Sequence, residues 1–140
     1  MEVSTTTGGA TTAARFRAAV ESGDIDAASA LLGQDVVFHS PVTFHPYVGR
    51  DTVTRLLAIV AGVFEDFRYT DELAGLDTHA LIFRAAVGGR ELEGIDLLRF
   101  DRDGLISDFT VMIRPVSGLM PFAEKMAERV TAAGLATTRS

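Results

Sequence analysis

Apolar residues recur every three or four positions in some stretches of the chain and every second position in others. The most sustained helical pattern runs over 51–67. There Val53, Leu56, Leu57, Val60, Phe64 and Phe67 form one stripe, which predicts a long amphipathic helix. A shorter stripe of Phe16, Ala19 and Val20 predicts a helix over 13–22. Ser22-Gly23 breaks it, and Asp24 is a good N-cap for a second helix over 25–32, closed by Gly33. Leu119, Phe122, Ala123, Met126 and Val130 predict a final helix over about 117–133. The period-two stretches are 36–39, 67–73, 79–87, 91–100 and 105–113. Gly88-Gly89 and Asp101-Arg102-Asp103-Gly104 are turn signals between the later strands, so these strands read as an antiparallel meander. The second turn begins like a calcium loop but lacks the remaining ligands. Helices and strands are segregated along the chain, which predicts an α+β fold with helices covering one face of a sheet. A sheet of such long strands coils, and its concave face can enclose a pocket under the long helix.

Composition narrows this picture in a few ways. The 140 residues suit one domain with a real core. Residues 1–12 are mostly Thr, Gly, Ala and Ser, which bury too little surface to order themselves, so they read as a disordered tail. The domain is then 13–134, with a second tail over 135–140. A net charge of −6 argues against nucleic acid and anionic membrane as partners. No segment has the length and hydropathy of a membrane span, and the N-terminus lacks the pattern of a secretory signal. A cytoplasmic protein is the simplest reading. The chain has no cysteine and three histidines, His39, His45 and His79. Thiolate chemistry is excluded, and a resident metal or other cofactor is not expected.

The element order, with Gly23-Asp24-Ile25, 35–41, Gly49-Arg50 and 94–101 followed by Gly104 and Ile106, resembles the nuclear transport factor 2-like superfamily. Its SnoaL-like and ketosteroid isomerase-like branch is the nearest match, over about 13–134. The resemblance implies a cone-shaped fold, with a curved antiparallel sheet wrapped around helices and an internal pocket. It also implies a cofactor-free enzyme of isomerase, cyclase, dehydratase or hydrolase type, acting by acid/base chemistry on a small apolar molecule. A non-catalytic binding or interaction module on the same fold is the alternative. Homodimerisation through the outer sheet face is common in the superfamily. Ile95, Leu97 and Met112 would then lie on that face beside Asp108, Thr110 and Arg114.

Alternation over 91–100 places Leu92, Gly94, Asp96, Leu98 and Phe100 on one face, so Asp96 is the polar group on an apolar surface. Its charged form is disfavoured there, which raises its pKa and allows it to donate a hydrogen bond to a developing oxyanion. By the resemblance this position is the oxyanion-donor aspartate of the isomerases. A carboxyl satisfied by a backbone or arginine partner is the plainer alternative. Two other positions depart from the family pattern. Ser40 stands where the general-base aspartate would be, and Phe16 where the oxyanion tyrosine would be. Steroid isomerisation by that mechanism is therefore disfavoured. An imidazole such as that of His39 is a candidate general base, although alternation with Phe38 and Ser40 turns it away from the pocket. Tyr47, in the loop over 41–50 with Thr43 and His45, is a further candidate helper. The expected catalytic set is Asp96, His39, Ser40 and Tyr47. The expected lining is Phe16, Phe38, Leu57, Phe83, Leu92, Leu98, Phe109, Val111 and Ile113. An Asp-Arg-Asp water-activating set, as in limonene epoxide hydrolases, would need Asp96, Arg99 and Asp108, but Arg99 alternates to the face opposite Asp96.

Overall fold

The structure, a computed structural model, describes residues 8–135. Ten elements follow one another: α1 (Gly8–Ser22), α2 (Ile25–Ser29), β1 (Leu32–His39), β2 (Tyr47–Val48), α3 (Arg50–Val63), β3 (Glu65–Ala74), β4 (Thr78–Val87), β5 (Arg90–Phe100), β6 (Ile106–Arg114) and α4 (Val116–Ala133). The strands form one sheet in the order β2-β1-β6-β5-β4-β3. β3 to β6 make the expected antiparallel meander. β1 joins β6 in parallel, a pairing that local pattern does not reveal.

The last two hairpins rest on their turn chemistry. Gly88 and Gly89 have φ of 58° and 79°, left-handed values that residues with a Cβ adopt reluctantly. In the next turn Asp101 Oδ1 accepts from the backbone N–H of Asp103 (2.9 Å) and Leu105 (3.0 Å). The aspartate is therefore used up as a turn-former.

Several boundaries differ from expectation for physical reasons. Residues 8–12 were expected in a tail, yet they form the start of α1; residues 1–7 lie outside the described residues. Long-range contacts order this stretch. The Thr12 hydroxyl donates to the Gly104 carbonyl, and Ala13 is fully buried. α2 stops at Ser29, and Gly33, read as a helix closer, lies inside β1. The cause is the parallel partner: Leu32 pairs with Ile106, whose N–H donates to the Leu31 carbonyl at 2.9 Å. α3 ends at Val63 rather than 67. Phe64 turns extended and Asp66 takes φ 54°, so the apolar stripe continues from the helix into a strand.

Burial follows the alternation. Leu81, Phe83, Ala85, Val87, Leu92, Asp96, Leu98 and Phe109 face the helices, whereas Ile82, Ile95, Leu97, Thr110 and Met112 face outward and are less buried. Register shifts in β3, at Glu65/Arg68 and Tyr69/Asp71, curve the strand and keep Phe67, Tyr69 and Glu72 on the inner side. Gly94 on β5 lets Phe83 cross it: a Cβ there would lie 2.2 Å from Phe83 Cζ.

Candidate functional site

A cavity of about 550 Å³ lies between the concave sheet face and helices α1, α3 and α4. Its walls are mainly Phe16 and Val20 from α1, Leu56, Leu57 and Val60 from α3, Phe122, Met126 and Val130 from α4, and Phe38, Phe67, Phe109 and Val111 from the sheet. Phe64, at the α3–β3 junction, stacks on Phe122 with ring centroids 5.1 Å apart and packs on Phe67 at 5.5 Å. Glu21, Ser22, Ser40, Thr43 and Thr131 bring polar atoms to the same cavity from partly or fully exposed positions.

Asp96 and Tyr69 are the buried polar pair of this cavity. Tyr69, on β3, donates its phenol O–H to Asp96 Oδ2 at 2.8 Å. Among the described residues the other oxygen, Oδ1, accepts no hydrogen bond. Burial pushes the Asp96 carboxyl up to about 7, and the Tyr69 hydrogen bond opposes that rise. Burial, followed by the negative charge of Asp96, holds the Tyr69 phenol well above its ordinary value. A carboxyl that titrates near neutrality can act as acid or as base under ordinary conditions.

Of the expected catalytic set, Asp96, Ser40 and Tyr47 border the cavity and His39 does not. The Ser40 Oγ accepts from the N–H of Val42 at 3.0 Å, which fixes the turn after β1. Tyr47 is buried on β2 beside Phe38, and burial raises its phenol. His39 points to the outer face, as alternation implies, with Nε2 3.2 Å from Asp108 Oδ2 on β6. His39 thus lies away from the cavity that Asp96 borders.

The lining expectation divides in the same way. Phe16, Phe38, Leu57, Phe109 and Val111 line the cavity; Phe83, Leu92, Leu98 and Ile113 do not. The last four have the inner-face placement expected of them, but the space above them is filled. Phe64 and Phe67 pack on Phe83 at 5.4 and 4.9 Å. α4 closes over Leu92 at Gly118, where a Cβ would lie 2.8 Å from the Leu92 Cβ. Leu98 is fully enclosed, and Ile113 sits opposite Gly94.

Tyr69 is the important residue that sequence reasoning missed. Nothing in the strand-like run 67–73 singles it out, and it lies 27 positions from Asp96. Its alternation with Phe67 was visible, but the two intervening strand pairings that bring it to Asp96 were not. Among the described residues no group of three or more His, Cys, Asp or Glu could hold a metal ion, and no helix is long and apolar enough to cross a membrane.

Comparison with known proteins places this geometry in context. A family model described as a SnoaL-like domain matches residues 13–109. Among solved structures, a steroid delta-isomerase from Pseudomonas aeruginosa is 40% identical; the match covers 96% of this chain and 100% of that one, with a TM-score of 0.87. An uncharacterized bacterial protein with a cystatin-like fold, from Silicibacter pomeroyi, is 35% identical over 88% of this chain and 87% of that one, with a TM-score of 0.83. A nuclear transport factor 2-like protein of unknown function from Mesorhizobium loti shares the fold at 18% identity, covering 82% and 98%, with a TM-score of 0.70. No curated protein matches the chain.

Proposed function

The chain belongs to the SnoaL-like family within the nuclear transport factor 2-like superfamily, and on that premise we propose that its cavity binds a small, mostly apolar molecule carrying a carbonyl or similar oxygen, on which Asp96 performs proton transfer. One observation carries the reading. Among the described residues this buried carboxyl has a single partner, leaving Oδ1 to be satisfied by whatever enters. In its protonated form Asp96 donates a hydrogen bond, and then a proton, to the ligand oxygen; the carboxylate left behind takes a proton from the neighbouring carbon, which regenerates the acid. Tyr69 holds the carboxyl in place through Oδ2. The apolar walls around the carboxyl lower the local polarity, which strengthens a hydrogen bond made there.

The similarity to a steroid delta-isomerase makes double-bond isomerisation the first reaction to assay. Phe16 and Ser40 offer neither the tyrosine nor the base of that family's usual mechanism, so any isomerisation here would rest on Asp96 and Tyr69. The experiment follows conversion of a β,γ-unsaturated ketosteroid to its conjugated isomer by absorbance, in wild type and Asp96→Asn. Turnover should drop about 10²–10⁴-fold in the variant. In wild type it should decline as pH rises through about 7, because the acid form is consumed. Equal turnover in the two proteins would remove Asp96 from the chemistry. If neither protein yields product, while the same ligand raises the melting temperature of both wild type and Asp96→Ala, the non-catalytic binding reading takes over.

The outer sheet face supports a second assignment, a homodimer interface. Ile82, Ile95, Leu97 and Met112 form an apolar centre, flanked by the ionic row Arg84–Glu93–Arg114. A monomeric mass in sedimentation at every concentration up to the millimolar range would dispose of it.

A further inference from the structure

Arg17 plays no part in the proton transfer just described, yet it stands at the centre of the polar contacts around it. Its Nε is 3.1 Å from Glu21 Oε2, and its Nη1 is 2.9 Å from Glu72 Oε1 on β3. Glu72 in turn holds the buried His79 of β4, Oε2 to Nε2, at 2.7 Å. The Arg17 guanidinium carbon also lies 5.6 Å from the centroid of the Tyr69 ring. One side chain of α1 thus reaches across to β3 and, through Glu72, to β4, while resting over the tyrosine that holds Asp96.

We propose that Arg17 is a positioning residue for the Tyr69–Asp96 pair: its guanidinium braces the Tyr69 ring against β3 and supplies a cation beside the pair. A cation over an aromatic face is attracted to the ring, and the attraction weakens with solvent exposure. The Arg17 side chain is about one third exposed, at 33%, so the electrostatic effect is modest. Other charged and titratable groups facing the pair are few. α1 adds Glu21, β3 adds Glu72 and β4 adds His79, whereas α3 and α4 contribute no ionisable side chain to the cavity lining. Two of these groups are carboxylates neutralised by Arg17 itself. Loss of the guanidinium therefore removes a cation and leaves Glu21 unpartnered among the described residues, while Glu72 keeps His79, and both changes disfavour ionisation of Asp96.

The proposal rests on the Asp96 reading for its functional meaning, so its test needs no ligand and no turnover. The protein is labelled with ¹³C at aspartate carboxyls, and the Asp96 resonance is assigned by its disappearance in Asp96→Asn. The midpoint of its titration is then compared in wild type, Arg17→Met, Arg17→Gln and Arg17→Lys. The two neutral variants should raise the midpoint by roughly half a pH unit, and Arg17→Lys should leave it near the wild-type value, because it keeps the charge. A melting temperature that falls in all three variants while the midpoint stays fixed would show a structural clamp only and overturn the proposal. So would a midpoint that moves as far in Arg17→Lys as in Arg17→Met. Failure of the ketosteroid assay would leave these outcomes unchanged.

Discussion

His79 on β4, at 6% exposure, and Asp96 on β5, at 7%, are both buried on the inner face of the sheet. They lie on adjacent strands, near each other in register: His79 pairs with Leu98 and Asp96 with Leu81. Their surroundings are opposite. His79 Nε2 donates to the Glu72 carboxylate at 2.7 Å, and Glu72 is in turn held by Arg17, so this cluster closes on itself. The Glu72 carboxylate is lowered below its usual range, chiefly by the His79 hydrogen bond. Asp96 has one phenol for a partner and a cavity on its other side. Equal burial thus accompanies a structural pin in one place and a candidate reactive group in the other. What separates them is whether the polar atoms are satisfied within the protein.

The contrast can be broken most forcefully at Asp96. The 10²–10⁴-fold loss of turnover in Asp96→Asn is the largest effect expected, equivalent to about 3–5 kcal/mol of transition-state stabilisation. The same substitution should stabilise the fold. The carboxyl titrates near 4 in the unfolded chain and at about 7 in the folded one. The stability it contributes is therefore fully present below about pH 4 and is lost as pH rises through about 7, to a penalty of the order of 4 kcal/mol at most. Urea unfolding at pH 8 should show Asp96→Asn more stable than wild type by a few kcal/mol, with the gain shrinking at pH 5. No gain at pH 8 would mean that the carboxylate is better solvated than its burial implies.

His79 should behave in the opposite sense. His79→Ala removes a partner from Glu72 and leaves a void beneath α1, so it should cost about 2–3 kcal/mol in urea unfolding at pH 7. A neutral result would make His79 no pin at all and collapse the comparison. Together the two sites should show the usual opposition between stability and activity, with the unsatisfied group costing stability and the satisfied one supplying it.

How far the sequence exposed this arrangement depends on the residue. The stripe from Val53 to Val60 announced α3 correctly, because period 3.6 is a property of the helix itself. The same stripe overran at Phe64 and Phe67, since both rings belong to one apolar cluster though they sit in a helix cap and a strand. Asp96 was legible as the carboxyl on an apolar strand face. His39 was legible as an outward residue from simple alternation, and the structure agrees. Ser40 and Tyr47 border the cavity, whereas Phe83, Leu92, Leu98 and Ile113 on the same inner face are covered by packing.

Local pattern therefore determined the element types, the inner and outer faces of each strand, the turns at Gly88-Gly89 and Asp101–Gly104, and the isolation of Asp96 among apolar neighbours. These follow from backbone periodicity and φ preferences, which operate within a few residues. Tertiary structure alone decided which inner-face residues meet open space, that Tyr69 reaches Asp96, and that Arg17 and Glu72 close around His79 while leaving Asp96 open. A cavity is what remains when side chains from three helices fail to fill the volume over a curved sheet. That remainder depends on strand register, bulges and side-chain volumes contributed from distant parts of the chain.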